Sequence, residues 1–174
     1  PDKITVVHLA ADPSFRPRSE AAGRQTAARY HLEPGFLLFV GTLEPRKNVP
    51  SLLLAYRKLL DQRVTDKPLV LVGSKGWLYD EIFDRSAALD LSDHVHFLHN
   101  VPDADLPGLY GAASLLAMPS FHEGFGLPAL EAMSCGTPVV VANRASLPEV
   151  VGGAGLLVNP ENPEHIAEAL TCVL

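Results

Sequence analysis

The chain has 174 residues, of which 47% are apolar, and this length and composition suit one compact domain with a hydrophobic core. The formal net charge of −6 argues against a nucleic-acid-binding protein, because such proteins present a strongly basic face. No apolar run approaches the roughly 20 residues needed to cross a bilayer, and no signal peptide is visible.

Short apolar runs recur along the whole chain. They are almost continuously apolar, without polar alternation, and this pattern predicts strands covered on both faces of a parallel sheet. The predicted strands are Ile4–His8, Phe36–Val40, Leu69–Val72, Val95–Leu98, Leu115–Met118, Val139–Val141 and Gly155–Val158. Helical stretches lie between them, at Ser51–Leu60, Leu78–Leu89, Leu106–Ala113, Pro128–Ser134 and from Pro163 onward. Regular alternation of strand and helix predicts an α/β domain with a doubly wound, Rossmann-like parallel sheet.

Residues 1–33 differ from the rest of the chain in composition. Proline, charged and small residues are followed there by a polar helical stretch, which favours a linker strand and helix leading from a missing N-terminal domain. Residues 34–174 are expected to form the Rossmann-like domain, with a truncated final helix. Because the chain begins at Pro1 and stops at Leu174 inside that helix, it is expected to be a fragment.

The loop Pro119–Gly126 joins a predicted strand to a predicted helix. Gly124 and Gly126 let the backbone approach a ligand closely, because neither carries a side chain. The free amides of Phe125, Gly126 and Leu127 at the helix start would then favour an anion such as phosphate.

Two carboxylates frame this loop. Glu123 precedes the helix, and Glu131 lies about one turn inside it. A carboxylate accepts hydrogen bonds from vicinal hydroxyls, as on ribose or a hexose, but repels bare phosphate. Both residues are therefore expected at the hydroxyl-bearing ends of a ligand with an anionic middle. The helix dipole alone would also favour Glu131, but it does not account for the neighbouring Gly-Phe-Gly sequence.

The loop Gly41–Asn48 follows the predicted strand Phe36–Val40. Its adjacent cations, Arg46 and Lys47, would neutralise a diphosphate at the end of that strand. The composition of the loop is equally typical of a solvated turn. The loop Pro119–Gly126, called here the glycine loop, also follows a predicted strand, and its preference for an anion favours the diphosphate interpretation.

Glu123 and Glu131, with Gly-Phe-Gly-Leu-Pro between them, resemble the Glu-x7-Glu signature of glycosyltransferase family 4. The similarity extends to Val40-Gly41 with the following cations, to Cys135–Val140 and to Pro148-Glu149-Val150. Members of that family have the GT-B fold, in which two Rossmann-like domains face each other and the C-terminal one holds most of the nucleotide-sugar donor. The resemblance implies that this chain is the C-terminal half of such an enzyme.

The resemblance also implies roles for individual residues. Glu123, Lys47 and Arg46 are expected to be catalytic, with Glu123 at the donor sugar and the cations at the diphosphate. Glu131 is expected to hold the ribose hydroxyls. The remaining expected contacts are Gly41, Thr42, Gly124, Phe125, Gly126 and Leu127 for the sugar and diphosphate, and Asn100 and Val101 for the nucleobase. Thr42 departs from the family, which often has arginine there, and Arg46 is expected to replace it.

The implied function is retaining transfer of a hexosyl group, with mannosyl as one candidate, from a UDP- or GDP-sugar to a glycan or lipid-linked acceptor. No metal or other cofactor is expected, since the cations and helix amides would stabilise the leaving diphosphate and the chain lacks an Asp-x-Asp motif. A third ligand is also missing beside His94 and His96. The fragment alone is expected to be inactive, because the acceptor pocket would lie in the missing N-terminal domain.

Two other classes of protein were compared with this hypothesis. A pyridine-dinucleotide dehydrogenase would need G-x-G-x-x-G after its first strand, and the loop after Phe36–Val40 has only Gly41. A non-catalytic GT-B-like interaction module remains the alternative, although such a module would be expected to lose the charged site residues.

Three further expectations concern location and packing. The cysteines, Cys135 and Cys172, are predicted to be buried thiols, which favours a reducing compartment and hence the cytoplasm. Any membrane association is expected to be peripheral, at the inner face. Trp77 and Tyr79 are expected to pack at the start of a helix.

Overall fold

The computed structural model describes residues 3, 5 and 7–174. A parallel sheet of six strands lies at its centre, in the spatial order β3-β2-β1-β4-β5-β6. The strands are β1 (Leu37–Val40), β2 (Leu69–Val72), β3 (Val95–Leu98), β4 (Leu115–Met118), β5 (Val139–Ala142) and β6 (Leu156–Val158). This order is that of a doubly wound Rossmann-like sheet, so the predicted fold class is confirmed.

Helices cover both faces of the sheet. They are α1 (Glu20–Arg29), α2 (Val49–Asp61), α3 (Asp80–Ala88), α4 (Leu106–Ala112), α5 (Leu127–Ser134), α6 (Leu147–Val151) and α7 (Pro163–Val173). Side chains of α2, α3 and α7 pack on one face, and those of α1, α4, α5 and α6 on the other. Successive residues of β1 point to opposite sides, with Leu37 and Phe39 in one cluster and Leu38 in the other. Burial on both faces explains why the four inner strands β1, β2, β4 and β5 are uniformly apolar, whereas the edge strands β3 and β6 are only partly buried.

Most predicted elements coincide with observed ones, and the exceptions are local. The run Ile4–His8 is not a strand at Thr5, Val7 or His8, while Ile4 and Val6 lie outside the described residues. The short helix α6 was not predicted. Cys135 is buried as predicted, but the prediction for Cys172 is wrong, because α7 turns this residue to the surface.

Helix α1 packs against α4 through small residues. A Cβ atom added at Gly108 of α4 would lie 2.3 Å from the hydroxyl oxygen of Thr26, so the two backbones approach closely. Thr26 and Ala27 are buried in this contact. A helix with few large apolar side chains is thus held to the domain by close backbone approach.

Gly73, directly after β2, is predicted to be essential for stability. A Cβ atom at this position would lie 1.9 Å from the carbonyl oxygen of Gly41, which follows β1. Gly73→Ala is expected to lower the free energy of unfolding by about 1–3 kcal/mol or more, because the two strand ends must separate. Denaturant unfolding measures this loss. Gly111→Ala is the control: its Cβ would meet no atom within 4 Å, and the exchange in α4 is expected to raise stability slightly.

Candidate functional site

The site lies where two loops meet at the carboxyl edge of the sheet. The loop 41–48 follows β1 and the loop 119–126 follows β4, and these two strands are neighbours at the point where strand order reverses. The amide of Phe121 donates to the carbonyl oxygen of Arg46 at 2.8 Å, which joins the loops directly. Ligands of doubly wound sheets bind at this switch point.

A buried ion pair forms the centre of the site. Lys47 Nζ donates to both carboxylate oxygens of Glu123, at 2.7 and 2.9 Å, and each residue is only 6% exposed. Arg46 Nη1 donates to Glu123 Oε2 at 3.1 Å and to the carbonyl oxygen of His122 at 3.2 Å. Buried charges require such pairing, since desolvation disfavours them strongly. Both cations predicted to be catalytic therefore lie within hydrogen-bond distance of Glu123, the third predicted residue.

The start of α5 borders this ion pair. Gly126 caps the helix with φ +102°, and a Cβ atom there would lie 2.6 Å from Leu147 Cδ2, so only glycine fits. A Cβ atom at Gly124 would meet nothing within 4 Å, which leaves open space in front of the loop. The Leu127 amide at the start of α5 has no hydrogen-bond partner among the described residues and is available to a bound anion, whereas the amide of Ala129 donates to the carbonyl oxygen of Gly126.

Glu131 lies on α5 with its side chain half buried against α4. Tyr110 donates its hydroxyl to Glu131 Oε2 at 2.9 Å. Burial raises the pKa of Glu131 above its usual value, and the Tyr110 hydrogen bond opposes this shift. Burial also raises the pKa of Tyr110 well above its usual value, so its phenol stays protonated and able to donate. One carboxylate oxygen of Glu131 therefore remains available for another donor.

At pH values above 4.5, Glu131→Gln is expected to raise the free energy of unfolding by a small amount. Because the folded-state pKa of Glu131 is raised, the folded state holds its proton more tightly, and the free energy of unfolding falls as pH rises from about 4.5 through that pKa. Glutamine removes this loss while still accepting from Tyr110. The gain at pH 7 is expected to stay below about 1 kcal/mol, since the group is partly solvated, and to vanish at lower pH. Unfolding curves at several pH values test this, with exposed Glu168→Gln as control.

The predicted nucleobase residues lie in a pocket on the other side of β1. Asn100 and Val101 line an open cavity of about 300 Å³ together with Gly41 and Thr42. His99 Nδ1, 2.8 Å from the carbonyl oxygen of Gly73, fixes the start of the loop that carries Asn100. Gly41 connects this cavity to the ion pair, because a Cβ atom on it would lie 3.4 Å from Lys47 Cε.

Several residues that position the site were not predicted from the sequence. Asn48 adopts the left-handed conformation and donates to the carbonyl oxygens of Pro119 and Pro160, at 3.0 and 2.7 Å. The Ser146 hydroxyl lies 2.7 Å from the carbonyl oxygen of Phe125 and holds the glycine loop. An asparagine closing a Pro-Arg-Lys turn is the signal that could have indicated the first of these, since asparagine tolerates positive φ.

One packing prediction at this edge is wrong. Tyr79 is buried as expected, but Trp77 is 73% exposed in the loop between β2 and α3. The backbone of this loop is held by hydrogen bonds to Leu43 rather than by the indole, so the ring stays at the surface.

Two features are absent from the described residues, a metal-binding cluster and a membrane-spanning helix. Residues 3, 5 and 7–174 contain no group of three or more histidine, cysteine, aspartate or glutamate side chains that could hold a metal ion. Within the same part of the chain, no helix has the length and apolar character needed to span a membrane.

A doubly wound sheet with paired cations and a glycine-capped helix at its switch point is typical of proteins that bind phosphorylated ligands. Similarity to known proteins identifies the family. The model of the family glycosyl transferases group 1 matches residues 27–174, and the chain belongs to this family.

One curated relative and two solved structures illustrate the similarity of sequence and fold. The chain is 44% identical over 167 residues to the Escherichia coli O-antigen chain mannosyltransferase B, covering 95% of this chain and 44% of that protein. Anabaena Alr3699/HepE in complex with UDP and glucose superposes with a TM-score of 0.83 at 28% identity, over 97% of this chain and 47% of that one. The C-terminal domain of the group 1 protein LpcC from Francisella tularensis superposes at 0.80 with 21% identity, over 95% and 87% respectively. The chain thus spans less than half of the first two proteins.

Proposed function

We propose that the chain is the C-terminal, donor-binding domain of a retaining glycosyltransferase of family 4. The enzyme would transfer a hexosyl group, most simply mannosyl, from a UDP- or GDP-sugar to a glycan or lipid-linked acceptor. The observation that carries this proposal is the buried Lys47–Glu123 pair, joined by Arg46, at the switch point of the sheet. The mannosyltransferase relative supports the choice of sugar, and the UDP complex of HepE supports a nucleotide donor.

The site has a group for each part of such a donor. Lys47 and Arg46, with the amides of Phe125, Gly126 and Leu127, would hold the diphosphate. Glu123 would accept from the hydroxyls of the sugar, and Glu131, already fixed by Tyr110, from those of the ribose. The base would occupy the cavity beside Asn100 and Val101.

The proposed reaction breaks the bond between the anomeric carbon and the phosphate oxygen. Negative charge develops on that oxygen, and the preorganised Arg46 and Lys47 stabilise it more in the transition state than in the bound donor. The acceptor hydroxyl attacks from the same face, its proton passes to the departing phosphate oxygen, and the anomeric configuration is retained. Since two cations neutralise the diphosphate, we propose that no metal is needed.

The acceptor and the other GT-B domain would lie across this edge. Trp77, Phe121 and Leu127 expose apolar side chains in the loops after β2 and β4 and at the start of α5. We propose that these residues face an N-terminal domain. We also propose that the donor-binding domain described here transfers no sugar by itself. Its proposed location is the cytoplasm, with at most peripheral contact with the membrane.

Thermal shifts with UDP, GDP, ADP, NAD and inorganic pyrophosphate test the proposal. A ligand present at a hundred times its dissociation constant stabilises the folded state by about 2.7 kcal/mol. We expect one nucleoside diphosphate to stabilise the wild type more than pyrophosphate does, and Glu131→Gln to lose that difference. If no ligand stabilises the wild type, the non-catalytic interaction module becomes the better explanation.

A further inference from the structure

We propose that Glu44 is a positioning residue that fixes the Arg46 guanidinium for the donor diphosphate. This inference rests on the proposed function and adds a residue of the loop 41–48 for which the sequence predicted no role. Glu44 is the residue before the 3-10 helix Pro45–Lys47, and its side chain makes no capping hydrogen bond. Glu44 Oε1 lies 2.5 Å from Arg46 Nε, and the carboxylate is largely buried at 24% side-chain exposure.

The guanidinium of Arg46 is held at two of its three nitrogens. Nε contacts Glu44, while Nη1 donates to Glu123 and to the carbonyl oxygen of His122. Nη2 has no hydrogen-bond partner in the part of the chain that the structure describes, and the side chain is 47% exposed. A guanidinium held in this way presents the N–H groups of Nη2 to a phosphate in a fixed orientation.

Glu44 itself is fixed from two directions. Its main-chain carbonyl oxygen accepts from the Lys47 amide at 3.0 Å, so the same residue orients both cations. The loop after β2 holds it from the other side, because a Cβ atom on Gly76 would lie 3.0 Å from Glu44 Cβ. Without the carboxylate, Arg46 would be held only through Nη1 and could rotate about that contact.

A positioning role and a purely neutralising role of Glu44 predict opposite effects of its removal on the affinity for an anion. If Glu44 only neutralised Arg46, its removal would strengthen binding of an anion. If Glu44 orients Arg46, its removal weakens binding although the net charge becomes more favourable. Glu44→Asp separates the two further, since it keeps the charge but is one methylene too short to reach Nε.

The test is calorimetric titration of the 174-residue chain with UDP and GDP. Glu44→Gln and Glu44→Asp are each expected to weaken binding roughly tenfold, the size of one hydrogen bond to a charged group. Neither change is expected to have an effect in an Arg46→Met background, because Glu44 acts through Arg46. Glu161→Gln, which removes a carboxylate from the exposed Arg144 pair, should leave affinity unchanged.

Four results would overturn the proposal. If Glu44→Gln binds the nucleotide more strongly and Glu44→Asp binds it as well as the wild type does, Glu44 acts only as a counter-charge. If the two variants lose as much affinity in the Arg46→Met background as they do with Arg46 present, the role of Glu44 is structural. If the wild type binds neither nucleotide, the proposed function fails together with this inference. Wild-type binding that Glu44 variants leave unaltered refutes only the role of Glu44.

Discussion

Lys47→Met is expected to abolish measurable binding of UDP and GDP and to lower the free energy of unfolding by about 3–5 kcal/mol. The substitution removes the main cation of the diphosphate site and leaves the Glu123 carboxylate buried, with Arg46 as its remaining cationic partner. Denaturant unfolding measures the loss of stability, and calorimetric titration measures the loss of binding.

Lys58→Met provides the matched control for this prediction. Lys58 also pairs with a glutamate, Glu164, but this pair is far more exposed than the Lys47 pair, at 38% and 60% of the two side chains. Removing an exposed pair typically changes stability by less than about 1 kcal/mol and should not affect ligand binding here. Equal effects of the two substitutions would show that burial of the Lys47 pair has no special importance.

Glu123→Gln is expected to strengthen binding of free UDP or GDP by about tenfold or more, because it removes a negative charge adjacent to the diphosphate. The unliganded variant should be less stable than the wild type, since Lys47 then lacks a carboxylate, but the nucleotide should raise its melting temperature by a larger amount. In a protein that also contains the acceptor domain, sugar transfer should be lost, because the hydroxyls of the donor sugar lose their charged acceptor.

Glu131→Gln is the internal control for this second prediction. It also removes one carboxylate from the same site, but its proposed contact is with ribose hydroxyls, so it should weaken nucleotide binding while slightly stabilising the free protein. Thermal shifts and titrations of both variants with the same nucleotide give the comparison. Weaker nucleotide binding by Glu123→Gln would contradict the division of roles between the two glutamates.

The apolar pattern of the sequence was sufficient to predict most strands and helices, because this pattern is set within each segment of the chain. A strand buried on both faces must be apolar at each position, as in Leu69–Val72, and six largely apolar runs of the sequence coincide with the six strands. The prediction was wrong where the position of a residue in the folded chain differs from what its side chain or its neighbours in sequence indicate. Trp77 has an apolar side chain and yet is exposed, and Ile4–His8 has a strand-like composition but no neighbouring strand at its described residues.

The candidate site was predicted as two separate loops, and its geometry was not predicted. Glycines and a helix start indicated an anion, and adjacent cations indicated a diphosphate, since these chemical preferences belong to residue types. The partners of those residues were not apparent. Tyr110, which fixes Glu131, is on a different helix, and Asn48 reaches the carbonyl oxygen of Pro160, far along the chain.

The sequence by itself therefore determined the class of fold, and it predicted the two loops of the candidate site. Only the tertiary structure decided that Lys47 and Glu123 form one buried pair. The reason is strand order: β1 and β4 are neighbours although two strands separate them along the chain. Periodicity and composition are encoded within each segment, whereas the order of strands depends on how all segments pack together.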